Sequence, residues 1–205
     1  MTVLKATKNN IVLAAQIVRR GGLVVYPTET VYGLGCDPLN VEAVKRILDV
    51  KGERKKPLPI LAASISDADK IAFISPNGKK LAAKFWPGPL TMVFPKKAAL
   101  PDVVTFGWDS VGLRIPDSDV ALHLIRLSGG LLVGSSANRT GEAPPRAVQE
   151  ISGELKAMVD VVLDGGASAQ GKPSTVVDLS SEEPRIVREG PISLKAILDA
   201  LAFGD

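Results

Sequence analysis

Four polar segments hold most of the side chains in this sequence that could bind or activate a ligand. They read PTETVYGLG at 27–35, KGERKKPL at 51–58, GSSANRTG at 134–141 and GKPSTVVD at 171–178. Each borders a short apolar run that predicts a buried strand. Ligands of open α/β sheets gather beyond the strand ends, so the four segments predict one shared binding site.

The first and third segments offer hydroxyls, an amide and backbone that a ligand can approach closely. Thr28 and Thr30 precede glycines that allow such an approach, although the hydroxyls of a turn can also bond their own backbone. Ser136 and Asn138 form a turn suited to phosphate oxygens, and the alternative is a polar turn that ends a strand. The third segment lacks the Gly-Lys-Ser/Thr of a Walker A loop.

The second segment and Arg114 supply positive charge. Four cations fall within the six residues 51–56, which predicts a triphosphate clamp or cations that complement a helix dipole. Arg114 interrupts an apolar strand, where an arginine needs a carboxylate or phosphate partner. That partner is a ligand or one of three nearby carboxylates, Asp109, Asp117 and Asp119.

Composition predicts one α/β domain over residues 1–205. The chain is 45% hydrophobic, carries a formal charge of +3, and has one cysteine and one histidine. An intramolecular disulfide and a multi-histidine metal site are therefore excluded, and no metal site is predicted. No apolar run approaches membrane-spanning length, and the N-terminus lacks a signal-peptide layout. We therefore expect a cytoplasmic protein with no membrane partner.

Helices and short apolar strands alternate along the chain, which predicts a three-layer α/β fold. We expect one twisted, mixed and largely parallel sheet with helices on both faces. Predicted strands are 23–26, 58–63, 90–94, 111–115, 131–134, 159–163, 175–179 and 185–188. Predicted helices are 11–18, one capped by Asn40, one from Ser75 to Phe85, and 119–128, 146–156 and 193–202.

Taken together, the motifs resemble those of the YrdC family. PTETVYGLG, WPGPLT, an Arg-Ile-Pro strand, SSANRTG, GKPSTVVDL and VREG occur in the family's order across residues 10–192. The resemblance is to the short, single-domain members. It implies a twisted mixed sheet around a positive concave surface.

The resemblance also implies an activity, L-threonylcarbamoyladenylate synthase. Such an enzyme condenses L-threonine, bicarbonate and ATP, the last with Mg²⁺, and releases pyrophosphate. A downstream threonylcarbamoyl-transferase complex then modifies tRNA. Catalysis would rest on positioning and charge stabilisation rather than on a covalent nucleophile.

Particular residues match the family's motifs. The resemblance implies threonine binding by Thr30, Arg114 and Ser174. It implies ATP binding by Lys51, Arg54, Ser110, Ser136, Asn138 and Arg188, with Lys51, Arg54, Ser136 and Asn138 as catalytic residues. The Ser-x-Asn turn is absent from the paralogous YciO branch and favours the synthases.

One departure from the family pattern concerns the cationic segment. The family has Lys-x-Arg, whereas Glu53 stands at the third position here and Arg54 follows it. Either Arg54 takes the role through a shifted turn, or nucleotide binding is weaker.

Two other functions fit parts of the sequence. A basic concave surface could bind double-stranded RNA or tRNA through phosphates, without synthase activity. A phosphosugar enzyme of the related dihydroxybutanone phosphate synthase fold would need an acidic metal cluster and a histidine. Neither is evident in the sequence.

Overall fold

The computed structural model describes residues 2–53, 56–181 and 183–202, which form two mixed sheets and eight α-helices. The strands are β1 Thr2–Lys5, β2 Val24–Tyr26, β3 Gly33–Gly35, β4 Ile60–Ala62, β5 Leu90–Pro95, β6 Ser110–Arg114, β7 Leu131–Val133, β8 Ser135–Ser136, β9 Val161–Asp164, β10 Thr175–Asp178 and β11 Arg185–Arg188. The helices are α1 Lys8–Arg19, α2 Val41–Lys51, α3 Ile65–Asp69, α4 Pro76–Phe85, α5 Asp102–Thr105, α6 Asp119–Leu127, α7 Gly153–Met158 and α8 Leu194–Ala202.

The predicted α/β class and the mixed strand pairing are confirmed, but the strands form two sheets rather than one, and antiparallel pairs slightly outnumber parallel ones. Strand order is β1-β9-β2-β3-β8 in the first sheet and β11-β10-β5-β6-β4-β7 in the second. Of the nine strand pairs in the described residues, four are parallel and five antiparallel. Short connections such as the one between β2 and β3 allow only antiparallel pairing, and apolar strand composition does not reveal which strands pair.

Both faces of the first sheet are covered, as the apolar strands predict. Alternate residues of β2 enter different clusters, since Val24 and Tyr26 pack with α1 and α6 while Val25 packs with α2. The same alternation occurs in β9, where Val161 faces one cluster and Val162 the other. Because successive side chains of a strand point to opposite faces, each strand contributes to both cores.

Side-chain caps set several helix ends where the sequence predicts them. The Asn40 side chain accepts a hydrogen bond from Ala43 N and begins α2, and Ser75 caps α4 ahead of Pro76. The predicted helix over 146–156 is wrong. A 3-10 turn occupies Val148–Glu150, and Ser152 then caps the separate helix α7. The short elements β1, β3, β8, α3 and α5 were not predicted from the sequence.

The chain passes from one sheet to the other at Gly134. It leaves β7 in the second sheet and enters β8 in the first. Val133 N donates to Cys36 O at 2.9 Å, and the Tyr26 hydroxyl donates to Val133 O at 3.0 Å. These bonds hold the sheets together and fix the position of the Ser136 turn.

Within the described part of the chain, every helix is too short or too polar to cross a bilayer.

Candidate active site

A recess opens where the two sheets meet, and its enclosed part has a volume of about 20 Å³. Its lining includes three residues that the sequence predicts for the site, Thr30, Arg114 and Ser136. Thr30 comes from the loop after β2, Arg114 from the end of β6, and Ser136 from β8. The enclosed volume lies far below the ~300–1,000 Å³ of sites for drug-sized ligands. A ligand larger than a water molecule must therefore extend into the open mouth of the recess.

The threonine loop is held by its own hydroxyls. The Thr28 hydroxyl donates to Val31 O at 2.7 Å and lies 2.8 Å from the Thr30 hydroxyl. Since Thr28 has one hydroxyl proton and uses it on Val31, Thr30 is the donor between the two threonines. Thr30 Oγ1 therefore keeps its acceptor capacity for a ligand in the recess.

Arg114 forms a buried ion pair with Glu29, whose side chains are 7% and 8% exposed. The prediction that Asp109, Asp117 or Asp119 would neutralise Arg114 is wrong, because all three aspartates are exposed. The loop after β2 folds over the end of β6 and brings Glu29 there instead. Glu29 Oε2 is buried and has no hydrogen-bond partner among the described residues.

Ser174 and Arg188 form a second polar cluster near the first. Arg188 donates to Ser174 O from Nε and Nη2, at 3.0 and 2.9 Å, and Nη2 also reaches Ser174 Oγ at 3.2 Å. Ser174 Oγ lies 2.8 Å from Thr91 Oγ1. Partial burial lowers the pKa of the Arg188 guanidinium, and the positive charge of Arg114 lowers it further. Met92 pairs with Leu113 across β5 and β6, so Thr91, which contacts Ser174, lies beside Arg114 and brings the cluster next to it.

Lys51 holds the turn that contains Ser136 and Asn138. Its side chain is buried, and the ammonium donates to Ser136 O at 2.7 Å and to Asn138 O at 2.5 Å. The Asn138 amide nitrogen donates to the carbonyls of Arg139 and Glu142, while its Oδ1 is buried and has no hydrogen-bond partner within the described part of the chain. The structure thus joins three predicted ATP-binding residues. It also gives Lys51 a positioning contact that the sequence does not reveal.

One predicted ATP contact, Ser110, stands apart from this group, and another, Arg54, lies outside the described residues. Ser110 begins β6 while Arg114 ends it, a separation of about 13 Å at ~3.3 Å per residue. Ser110 lines a separate open hollow with Trp108 and Ser180. The structure therefore does not place Ser110 in the recess, and its contact with ATP stays a prediction.

Two charged residues near the site were not assigned a role from the sequence. Glu29 was visible as the only acid in PTETVYGLG, but its pairing with Arg114 spans 85 residues. Arg139 lies beside Gly52, whose backbone has φ +67°, and a Cβ at Gly52 would come within 3.5 Å of the guanidinium. The only signal for Arg139 was its place directly after Asn138.

Comparisons with known proteins agree with this geometry. The Sua5/YciO/YrdC family model, described as "Telomere recombination", matches residues 16–190. The chain is 40% identical over 187 residues to threonylcarbamoyl-AMP synthase of Pyrococcus abyssi and 36% identical over 197 residues to that of Bacillus subtilis. The crystal structure of P. abyssi Sua5 complexed with L-threonine superposes with a TM-score of 0.93 at 37% identity.

The matches cover most of this chain and a smaller part of these relatives. They span 90% and 95% of the chain, but 55% of the Pyrococcus and 57% of the Bacillus synthase. For the solved Sua5 structure the shares are 98% of this chain and 61% of that protein. Sequence, fold and site geometry agree, and the chain belongs to the Sua5/YciO/YrdC family.

Proposed function

We propose that this protein is an L-threonylcarbamoyladenylate synthase. The observation that carries the proposal is the small recess in which Arg114 lies beside Thr30 and Ser136, next to the Ser174 and Arg188 cluster. Two of its relatives are named threonylcarbamoyl-AMP synthase, and Sua5 of P. abyssi has been solved with L-threonine. The substrates are L-threonine, bicarbonate and ATP.

Threonine occupies the recess with its carboxylate on Arg114. A guanidinium has five N–H donors in a planar fork that matches a carboxylate. Among the described residues the structure gives Arg114 one hydrogen bond, to Glu29, so the other donors remain for the ligand. Thr30 lies in the same recess, and Ser174 lies close to it through Arg188.

The triphosphate lies outside the recess, along the Ser136 to Asn138 turn. This turn presents a hydroxyl and a buried Asn138 Oδ1 that has no partner in the described residues. Arg188 and Arg54 are the proposed cationic contacts, and Ser110 the proposed contact further along β6. Mg²⁺ enters as the Mg²⁺·ATP substrate, because polyphosphate transfer needs the cation to neutralise the charge of the phosphates.

The reaction needs no covalent enzyme intermediate. The threonine amine, after losing a proton, attacks the carbon of bicarbonate, and a carbamate forms with loss of water. A carbamate oxygen then attacks the α-phosphorus of ATP. The bond from that phosphorus to the β-bridging oxygen breaks, and pyrophosphate leaves. Recess and turn together hold the reactants in place and stabilise the charge that develops on phosphorus.

The product would pass to a separate threonylcarbamoyl-transferase complex that modifies tRNA. The mixed anhydride between a carbamate and AMP is reactive towards water and nucleophiles. A recess between two covered sheets limits the access of water. Direct contact of this chain with tRNA or double-stranded RNA stays a separate prediction.

Omission of single reactants tests the activity. We expect the protein with Mg²⁺·ATP, bicarbonate and L-threonine to release pyrophosphate and form the adenylate, measured by a coupled phosphate assay and by mass spectrometry. Omission of threonine or of bicarbonate should reduce the signal to background. Pyrophosphate release that continues without threonine would contradict the proposal, because it would show simple ATP hydrolysis.

A further inference from the structure

The ion pair between Glu29 and Arg114 is only half satisfied. Glu29 uses Oε1 to accept from Arg114 Nη1, while Oε2 is buried with no hydrogen-bond partner in the described residues. Arg114 in turn donates one hydrogen bond there and has four more N–H groups. Unpaired oxygens of buried carboxylates are costly, and native structures rarely keep them without a reason. Arg114 lines the recess, as do Thr28 and Thr30 on either side of Glu29 in the chain, so the spare acceptor lies directly behind the lining.

The spare groups match the two charges of an amino acid. A carboxylate can accept from the remaining N–H groups of Arg114, while an ammonium can donate to Glu29 Oε2. The Thr30 hydroxyl adds a second acceptor, because its proton goes to Thr28. No ligand with negative charge alone would satisfy Glu29.

We propose that Glu29, with Thr30 Oγ1, binds the α-ammonium of the amino-acid substrate and makes the recess selective for zwitterions. The inference rests on the proposed function for the identity of that amino acid. Glu29 acts as a specificity-determining residue, since its charge attracts an ammonium and repels the phosphates and bicarbonate that Arg114 and Arg188 would otherwise attract.

Binding requires the Glu29 side chain to move. Oε2 is covered before the ligand arrives, and Glu29 is not itself one of the residues that line the recess. A rotation about χ1 or χ2 is needed to turn the carboxylate towards the ammonium, because rotation about χ3 only exchanges the two equivalent oxygens.

Calorimetric binding of two ligands to wild type and Glu29→Gln tests the inference. L-threonine carries the ammonium, whereas 3-hydroxybutanoate keeps the carboxylate and hydroxyl without it. We expect Glu29→Gln to weaken threonine binding by about tenfold or more, the value of one hydrogen bond to a charged group. The affinity for 3-hydroxybutanoate should stay the same or rise.

Two further variants complete the test. Glu29→Asp keeps the negative charge and should lose less threonine affinity than Glu29→Gln. It also replaces Glu29→Gln in the test if that variant does not fold. Glu42→Gln makes the same chemical change at an exposed ion pair with Lys45 and should bind both ligands as wild type does.

Equal losses for both ligands would overturn the inference and show that Glu29 only supports Arg114. Equal gains would also overturn it, since Glu29 would then merely compete with the ligand carboxylate. The reactant-omission assay tests the proposed activity independently of these binding measurements. If the wild-type protein forms no adenylate, only the proposed activity is rejected. The inference about Glu29 is still supported in that case when Glu29→Gln loses affinity for threonine but not for 3-hydroxybutanoate.

Discussion

At the scale of residues, the site depends on charges that have little contact with water. Arg114 and Glu29 are both more than nine-tenths buried, and Lys51 is 2% exposed. Buried charges are tolerated when they are paired and hydrogen-bonded, and removal of one partner is costly. The positions of Arg114 and Lys51 are therefore set before any substrate binds. Such preorganisation is what positional and electrostatic catalysis requires.

Lys51 provides a test at this scale. Lys51→Met keeps the length of the side chain but leaves the carbonyls of Ser136 and Asn138 without their donor. We expect the free energy of unfolding to fall by about 2–3 kcal/mol in urea titrations. ATP affinity should fall with it, because the turn loses its support.

The matched control is Lys45→Met, an exposed position on the same helix α2. It should change stability by no more than ~0.5 kcal/mol. A Lys51→Met protein with unchanged stability but weaker ATP binding would contradict the positioning role and favour direct contact with phosphate.

At the scale of elements, strand ends and the loops beyond them bring the polar groups together. β6 ends in Arg114, β10 follows Ser174, and β11 ends in Arg188. The segment after β11 packs closely on the one before β10, since Gly190 N donates to Thr175 Oγ1 at 3.0 Å. A Cβ at Gly190 would lie 2.6 Å from Pro173 O. Glycine is required there so that Arg188 can reach Ser174.

Gly190→Ala tests this packing. The added methyl group meets backbone rather than a flexible side chain, so β11 must shift away from β10. We expect a loss of stability of about 1–3 kcal/mol, as for other overpacked sites, together with weaker threonine binding. Thermal unfolding and calorimetry measure both.

Gly153→Ala serves as the control, because nothing lies within 4 Å of a Cβ at that position in α7. It should leave stability and binding unchanged or improve stability slightly. Similar behaviour of the two variants would show that the close approach at Gly190 does not constrain the site.

At the scale of the whole molecule, two sheets share one site because the chain crosses between them at Gly134. The recess takes Thr30 from beside the first sheet and Arg114 from the second. Neither sheet alone could form it. The chain has a net charge of +3, which attracts anionic ligands, whether small molecules or nucleic acids.

Binding of tRNA is the prediction that belongs to this scale. We expect any affinity for tRNA, measured by fluorescence anisotropy, to fall as salt rises, with a log–log slope of about −0.7 to −0.9 per phosphate contact. Threonine should not affect this binding if the RNA follows surface cations. An affinity that stays constant between about 50 and 200 mM salt would exclude a phosphate-tracking surface.

The sequence by itself determined the α/β class, most helices and strands, and the family. Local signals were enough for these predictions. They are the apolar periodicity, the caps at Asn40 and Ser75, and the order of the motifs, all of which can be read from residues close together in the chain. The motif residues Thr30, Arg114, Ser136 and Ser174 were also visible as a set.

Only the tertiary structure decided which distant groups meet. The Glu29 partner of Arg114 and the buried contacts of Lys51 join residues 85 or more positions apart, and the two-sheet arrangement depends on which strands pair. Strand composition does not specify pairing, and several carboxylates near Arg114 in sequence were equally plausible partners. Which one neutralises the arginine depends on how the loop after β2 packs over β6, a result of the whole fold rather than of any local pattern.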